Sequence, residues 1–216
     1  FISHEMSTES IMSNVTISNC SFISNKDFSN EGHAILIKQN SNILIDQNCL
    51  FIDNGDLVNN TFKGYTIVSE SQYFEFKNSI IEFSDLQHST SALFIENSES
   101  SIINNVNFKR IFSDDLYESK VENNFYLIYI SFTVKNAEIN NCLFDECCTS
   151  STKNAIFDDG KYTVINNCSF LNSDNESLSS GAVTINSIGT HVISNCYVKN
   201  GMNEIGLFKI LNNIYI

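Results

Sequence analysis

A short pattern, Asn-Cys-x-Phe, recurs along this chain at nearly constant spacing. It constrains the fold more than any other feature. It stands as Asn19-Cys20-Ser21-Phe22, Asn48-Cys49-Leu50-Phe51, Asn141-Cys142-Leu143-Phe144 and Asn167-Cys168-Ser169-Phe170. Weaker copies are Asn105-Val106-Asn107-Phe108 and Asn195-Cys196-Tyr197-Val198, with a degenerate one at Asn78-Ser79-Ile80-Ile81. From Asn to Asn the steps are 29, 30, 27, 36, 26 and 28 residues. A repeat of this length is one supersecondary unit that buries its apolar face only by stacking on its neighbours.

A second element sits between the copies. It is a short apolar run, often led by Ala: Ala34-Ile35-Leu36-Ile37, Ala92-Leu93-Phe94-Ile95, Ala155-Ile156-Phe157 and Ala182-Val183-Thr184-Ile185. Tyr65-Thr66-Ile67-Val68 and Tyr126-Leu127-Ile128-Tyr129-Ile130 fill the gaps, and Ile205-Gly206-Leu207-Phe208 begins another. Each repeat thus reads as strand, polar corner, strand, Asn corner, strand, loop. Within strands the apolar residues alternate, as in Val15/Ile17 and Cys20/Phe22, which predicts one buried face. Three strands in about 27 residues is the arithmetic of a right-handed parallel β-helix, all-β, with about seven coils roughly 4.8 Å apart. Residues 1–216 form one solenoid domain on this reading. Cys20, Cys49, Cys142, Cys168 and Cys196 then stack inward, each with a Phe or its substitute two places on, and the Asn residues mark corners whose amides bond along the axis.

Composition agrees. Ile (28 residues) favours strands, while Asn (31) and Ser (30) favour corners and tolerate left-handed backbone. Pro is absent, as expected where each strand pairs on both edges. At 42% hydrophobic residues the chain has ample core, which argues against disorder. The net charge of −13, with 11 Lys and one Arg, excludes a nucleic-acid binder that works by displacing counterions. No apolar run is long enough for a transmembrane helix, and no basic, apolar leader opens the chain. Starting at Phe1 and ending at Ile216 in an apolar alternation, the sequence reads as a piece of a longer protein. Its coil ends then present strand edges, a template for pairing.

Two insertions break the period, at 55–64 and at 112–124. The second carries Asp114, Asp115, Glu118, Lys120 and Glu122. Insertions in solenoids map to surface loops, where function concentrates.

Gly32-His33-Ala34-Ile35 and Ser180-Gly181-Ala182-Val183 resemble the GGA[ILV] motif of the polymorphic outer-membrane proteins. Phe22-Ile23-Ser24-Asn25 and Phe51-Ile52-Asp53-Asn54 match that family's FxxN motif. The same pairing occurs in Asn/Cys-rich right-handed β-helix surface proteins of parasitic protists such as trichomonads. The resemblance implies a surface or secreted repeat protein, adhesive or structural. It implies no catalytic residue.

Candidate chemistry is sparse. Glycoside cleavage needs two carboxylates at a set separation. The candidates are Asp114-Asp115, beside Arg110, and Asp158-Asp159-Gly160. Adjacent residues on a strand face opposite ways, so each doublet offers one carboxylate per face, and both are expected to be solvated surface charge. Cys142, Cys147 and Cys148 are close in sequence but make no C-x-x-C. His4, His33, His88 and His191 are dispersed. Nothing marks a Ser-His or Cys-His nucleophile pair. No catalytic, cofactor or metal residue is therefore assigned, and no cofactor is expected. Seven Cys, in parallel ladders that rarely meet disulfide torsions, do not fix a compartment. Glycosylation sequons occur at Asn14, Asn19, Asn59, Asn167 and Asn175. Those at Asn19 and Asn167 fall in corners where a glycan fits poorly. The expected function is a non-enzymatic surface or secreted rod, adhesin-like or structural, that meets protein or glycan partners through loops and coil ends. The alternatives are a carbohydrate-active β-helix enzyme and an intracellular scaffold or filament component.

Overall fold

The computed structural model describes residues 2–4, 12–24, 32–38, 41–54, 65–83, 91–113, 126–149, 155–172, 182–199 and 208–210. All described pairings are parallel, and among the described residues the strands stack as a β-solenoid without helices. The first face holds β1 (Ile2–His4), β4 (Gly32–Ile37), β7 (Tyr65–Ser69), β9 (Ser91–Ile95), β12 (Ile128–Ile130), β16 (Ile156–Asp158), β19 (Val183–Ile185) and β22 (Phe208–Ile210), stacked in that order. The second holds β2 (Ser13–Ser18), β5 (Ser41–Asp46), β8 (Tyr73–Glu82), β10 (Ser100–Lys109), β13 (Asn136–Asn140), β17 (Tyr162–Asn166) and β20 (Thr190–Ser194). The third holds β3 (Ser21–Ile23), β6 (Leu50–Ile52), β14 (Leu143–Asp145), β18 (Ser169–Leu171) and β21 (Tyr197–Lys199), joined through the second halves of β8 and β10. Of the seven layers on the second face, five have a neighbour on each side. Among the described residues the solenoid therefore has about five turns enclosed on both sides, flanked by one end layer at each end, against the seven coils expected.

The repeat determines this register. Phe22, Phe51, Ile81, Phe108, Phe144, Phe170 and Val198 form one inward column. Within it the rings of Phe22–Phe51, Phe108–Phe144 and Phe144–Phe170 stack at 4.7–4.8 Å, the layer spacing itself. A second column on the first face runs Ile35, Ile67, Leu93, Ile128, Ile156, Val183. Both are buried in the central layers.

The Asn of every copy has a left-handed backbone: φ is 51° at Asn19, 62° at Asn48, 45° at Asn78, 55° at Asn105 and Asn141, 52° at Asn167 and 53° at Asn195. Among residues with a Cβ, Asn visits this region most cheaply, which explains its invariance within this chain. The amides do bond along the axis, but not as one straight ladder. Asn105 and Asn167 donate to Asn78 and Asn141 in their own column, whereas Asn78, Asn141 and Asn195 reach Asp46, Asn104 and Asn166 just before the neighbouring corner.

The Cys after each corner has a mechanical reason. The turn leaves the carbonyl of a residue shortly before it facing inward, and the thiol donates to it. Cys20 bonds Ser18 O at 3.2 Å, Cys142 bonds Asn140 O at 3.2 Å and Cys196 bonds Ser194 O at 3.3 Å. Where the third copy has Ser79, its hydroxyl does the same toward Lys77 O. None of the six described free cysteines forms a disulfide.

Two expectations need correction. First, β4, β7, β16 and β19 on the first face are buried on both sides: Leu36, Val68, Phe157 and Thr184 point opposite to the core column yet are 1–8% exposed. The one-buried-face alternation holds on the other two faces and in β12. Second, the insertion expected from Phe112 begins later, because β11 (Phe112–Ser113) pairs with β15 (Cys148–Thr149). Residues 55–64 and 114–125 lie outside the described residues. Among the described residues no helix is long and apolar enough to cross a membrane.

Candidate functional site: an Asp-His-Ser corner inside the solenoid

Asp158 breaks an apolar column. In register with it on the first face stand Ile95, Ile130 and Ile185, and Asp158 is fully buried among them. The surface-charge expectation for this residue is therefore wrong. The doublet does split as strand geometry requires, with Asp158 inward and Asp159 outward.

The corner after β16 is built to receive the carboxylate. Asp158 Oδ1 accepts the Gly160 N–H and the Thr163 hydroxyl, both at 2.9 Å. A Cβ on Gly160 would lie 3.0 Å from that same Oδ1 and 3.1 Å from Ile130 Cγ2, so a side chain there crowds the acid. Directly above Thr163, in the next layer, is His191, whose Nδ1 is 2.7 Å from Asp158 Oδ2. Its Nε2 is 2.9 Å from Ser187 Oγ, and Ser187 in turn donates to Gly160 O at 2.6 Å. The close approach of the two corners needs Gly189, where a Cβ would lie 2.3 Å from Lys161 O. The side chains of His191 and Asp158 are 3% and 0% exposed.

Asp, His and Ser are linked here in the connectivity of a hydrolase triad. The proton count differs. Ser187 has one proton, and only it can fill the 2.6 Å contact to a carbonyl oxygen. The Nε2 contact is then filled by the ring's own N–H, so no lone pair on His191 faces Ser187 to take its proton. The arrangement is a buried, mutually hydrogen-bonded Asp-His-Ser cluster, not a general base poised on a nucleophile.

Outside the same corner, Tyr129 Oη donates to Asp159 Oδ2 at 3.3 Å and Asn186 Nδ2 donates to Asp159 Oδ1 at 2.8 Å. Tyr129 belongs to an aromatic stripe on the outer side of the first face. Its ring stacks with Phe94 at 5.1 Å and lies 5.7 Å from Phe157, while Tyr126 stacks on Phe157 at 4.2 Å. Burial, with the charge of Asp159, pushes the Tyr129 phenol up to about 12. Burial also raises Tyr65 and Tyr126, which the neighbouring tyrosines push further. Glu96 is raised too, by burial and by the charge of Glu70.

These phenols bear on alkaline stability. Unfolded tyrosine ionises near pH 10. The unfolded chain therefore loses these protons first, and their contribution to stability is complete below pH 10 and lost as pH rises toward 12. Tyrosinate absorbance and β-sheet circular dichroism should change together in that window. Ionisation of Tyr65, Tyr126 and Tyr129 near pH 10 with the fold intact, read by Tyr→Phe difference spectra, would contradict their burial.

Other sequence candidates fall elsewhere. Arg110 has φ 50° at the corner after β10 and is tied to Glu82 on the coil below, its Nε donating to Phe83 O at 2.9 Å. Asp114, Asp115 and His88 lie outside the described residues. Of His4 and His33 only the backbone is described, in β1 and β4. Cys147 sits one corner beyond Cys142, donating to Phe108 O at 3.3 Å, so the two thiols serve different columns. Asn19 and Asn167 spend their side-chain amides on Gln47 and Asn141, as their corner positions implied. Asn59 and Asn175 lie outside the described residues.

Sequence reasoning missed the Ser187–His191 pair. The signal was present: aligned by repeat, Asp158 stands in an Ile column and His191 in a column otherwise occupied by Val15, Ile43, Phe74, Ser101, Ala137 and Thr163.

No protein-family model matches this chain, and no curated protein matches it.

Proposed function

We propose that this chain is a non-enzymatic β-solenoid rod of a cell-surface or secreted protein, adhesin-like or structural, that meets a protein or glycan partner through its loops and coil ends. The observation that carries this reading is that the corner side chains of successive coils bond to one another. The corner amides, the thiols and the buried Asp158–His191 pair all bond between or within coils, which makes a stiff stack of near-identical layers. The resemblance to the repeat style of polymorphic outer-membrane proteins agrees with it: Asn54 of the FxxN motif donates to Phe22 O of the coil before it at 2.9 Å, a structural task.

The runner-up is a carbohydrate-active enzyme, favoured by the Asp158–His191–Ser187 connectivity. The discriminating experiment incubates the chain with acidic and neutral polysaccharides and with small acyl esters, following reducing ends, unsaturated products and released acid. The rod reading expects rates equal to buffer, together with retention on cells or glycans bearing the partner. Turnover that disappears in Ser187→Ala would hand the lead to the enzyme. An intracellular scaffold, which six undisulfided thiols also suit, would be revealed by labelling that requires permeabilised cells.

A further inference from the structure

We propose that the Asp158–His191–Ser187 contact is a latch that seats β20 and β21 on the coil below them, and that residues 187–199 open as one unit when the latch is broken. Three observations carry this. β20 and β21 are thinly held by their own core, although Val183 and Ile185 of β19 are buried. Val198 is 42% exposed although it continues the buried Phe column, and Ile193 and Cys196 are only partly buried. The equivalent residues one layer down, Phe170, Ile165 and Cys168, are 1–2% exposed. On the second and third faces β20 and β21 are the last strands of their stacks among the described residues, so each is paired along one edge.

Of the acid–base side-chain contacts between described residues, the Asp158–His191 contact alone has both partners buried. Lys77–Glu75, Arg110–Glu82 and Lys135–Glu99 all lie at 26–54% exposure. Finally, it joins the two coils through separate corners. Asp158, Gly160 and Thr163 supply the lower half, while Ser187 and His191 supply the upper half. Removing the upper half leaves Asp158 Oδ2 fully buried without its partner, which is the costly case of a broken buried contact. The lower coil keeps its own packing, so the response is local: subglobal opening follows the least-packed cooperative unit.

Hydrogen exchange of the full chain tests this. His191→Ala is expected to raise exchange of amides in 187–199 by about a hundredfold, while 128–145 stays within about twofold of the parent. Ser187→Ala removes only the partner of Nε2 and of Gly160 O. It is expected to fold and to raise exchange in 187–199 alone by about tenfold. The proposal is overturned if Ser187→Ala leaves 187–199 unchanged, or if exchange rises equally in all layers.

Discussion

Replacing Phe144 by Ala is expected to destabilise the protein by about 3–5 kcal/mol. Phe144 is fully buried at the centre of a three-ring stack, with Phe108 at 4.8 Å below and Phe170 at 4.7 Å above. Truncation removes the ring's transfer energy and leaves a void that cannot collapse, because both neighbouring layers are held at strand spacing by backbone bonds on each side. Two ring pairs are also lost, each worth about 0.5–1.5 kcal/mol beyond area. Phe144→Leu is the calibrating variant. Ile81 already occupies this column, so an aliphatic residue fits there, and the expected loss is about 1–2 kcal/mol. Urea unfolding should show the midpoint falling with the slope unchanged. A loss under about 1 kcal/mol for Ala would mean that the column is not the packed core of the solenoid.

Asn167→Val is the second large effect, at about 2–3 kcal/mol. Two terms add. A β-branched residue at φ 52° pays the left-handed penalty of roughly 1–2 kcal/mol, and the amide bond to Asn141 Oδ1 at 2.8 Å is lost. Asn167→Gly separates them, because glycine adopts the backbone freely and loses only the amide. Its expected cost is about 1 kcal/mol. Equal losses for Val and Gly would show that the amide, not the backbone, explains why Asn fills this column. The same geometry bears on the sequon, since the Nδ2 that a glycan would need already donates within the stack.

Much of this architecture was legible because a solenoid writes its layers in sequence. The Asn-Cys-x-Phe spacing placed the third strands, the Phe column and the left-handed corners, and Ala34, Ala92, Ala155 and Ala182 flagged the first face. Each of these is decided within one coil, by strand period and by the backbone preference of Asn. The candidate corner was not legible. Asp158 looked like half of a surface doublet, and His191, 33 residues on, looked isolated. Whether they meet depends on corner length: 159–161 separate β16 from β17, and 186–189 separate β19 from β20. Those lengths put Thr163 and His191 in one inward column beside the Asp158 position, and the two glycines let the corners close.

By itself, then, the sequence determined a parallel stack with Asn corners and a ladder of Cys and Phe, since repetition at a fixed period allows stable burial only through stacking. Only the tertiary structure decided which polar side chains go inside. It tied Arg110 to Glu82 on the coil below, buried outer side chains of the first face such as Leu36, Val68 and Phe157, and joined Asp158 to His191 and Ser187. The physical reason is that contacts between layers depend on the offset each corner introduces. That offset exists only once the coils are stacked.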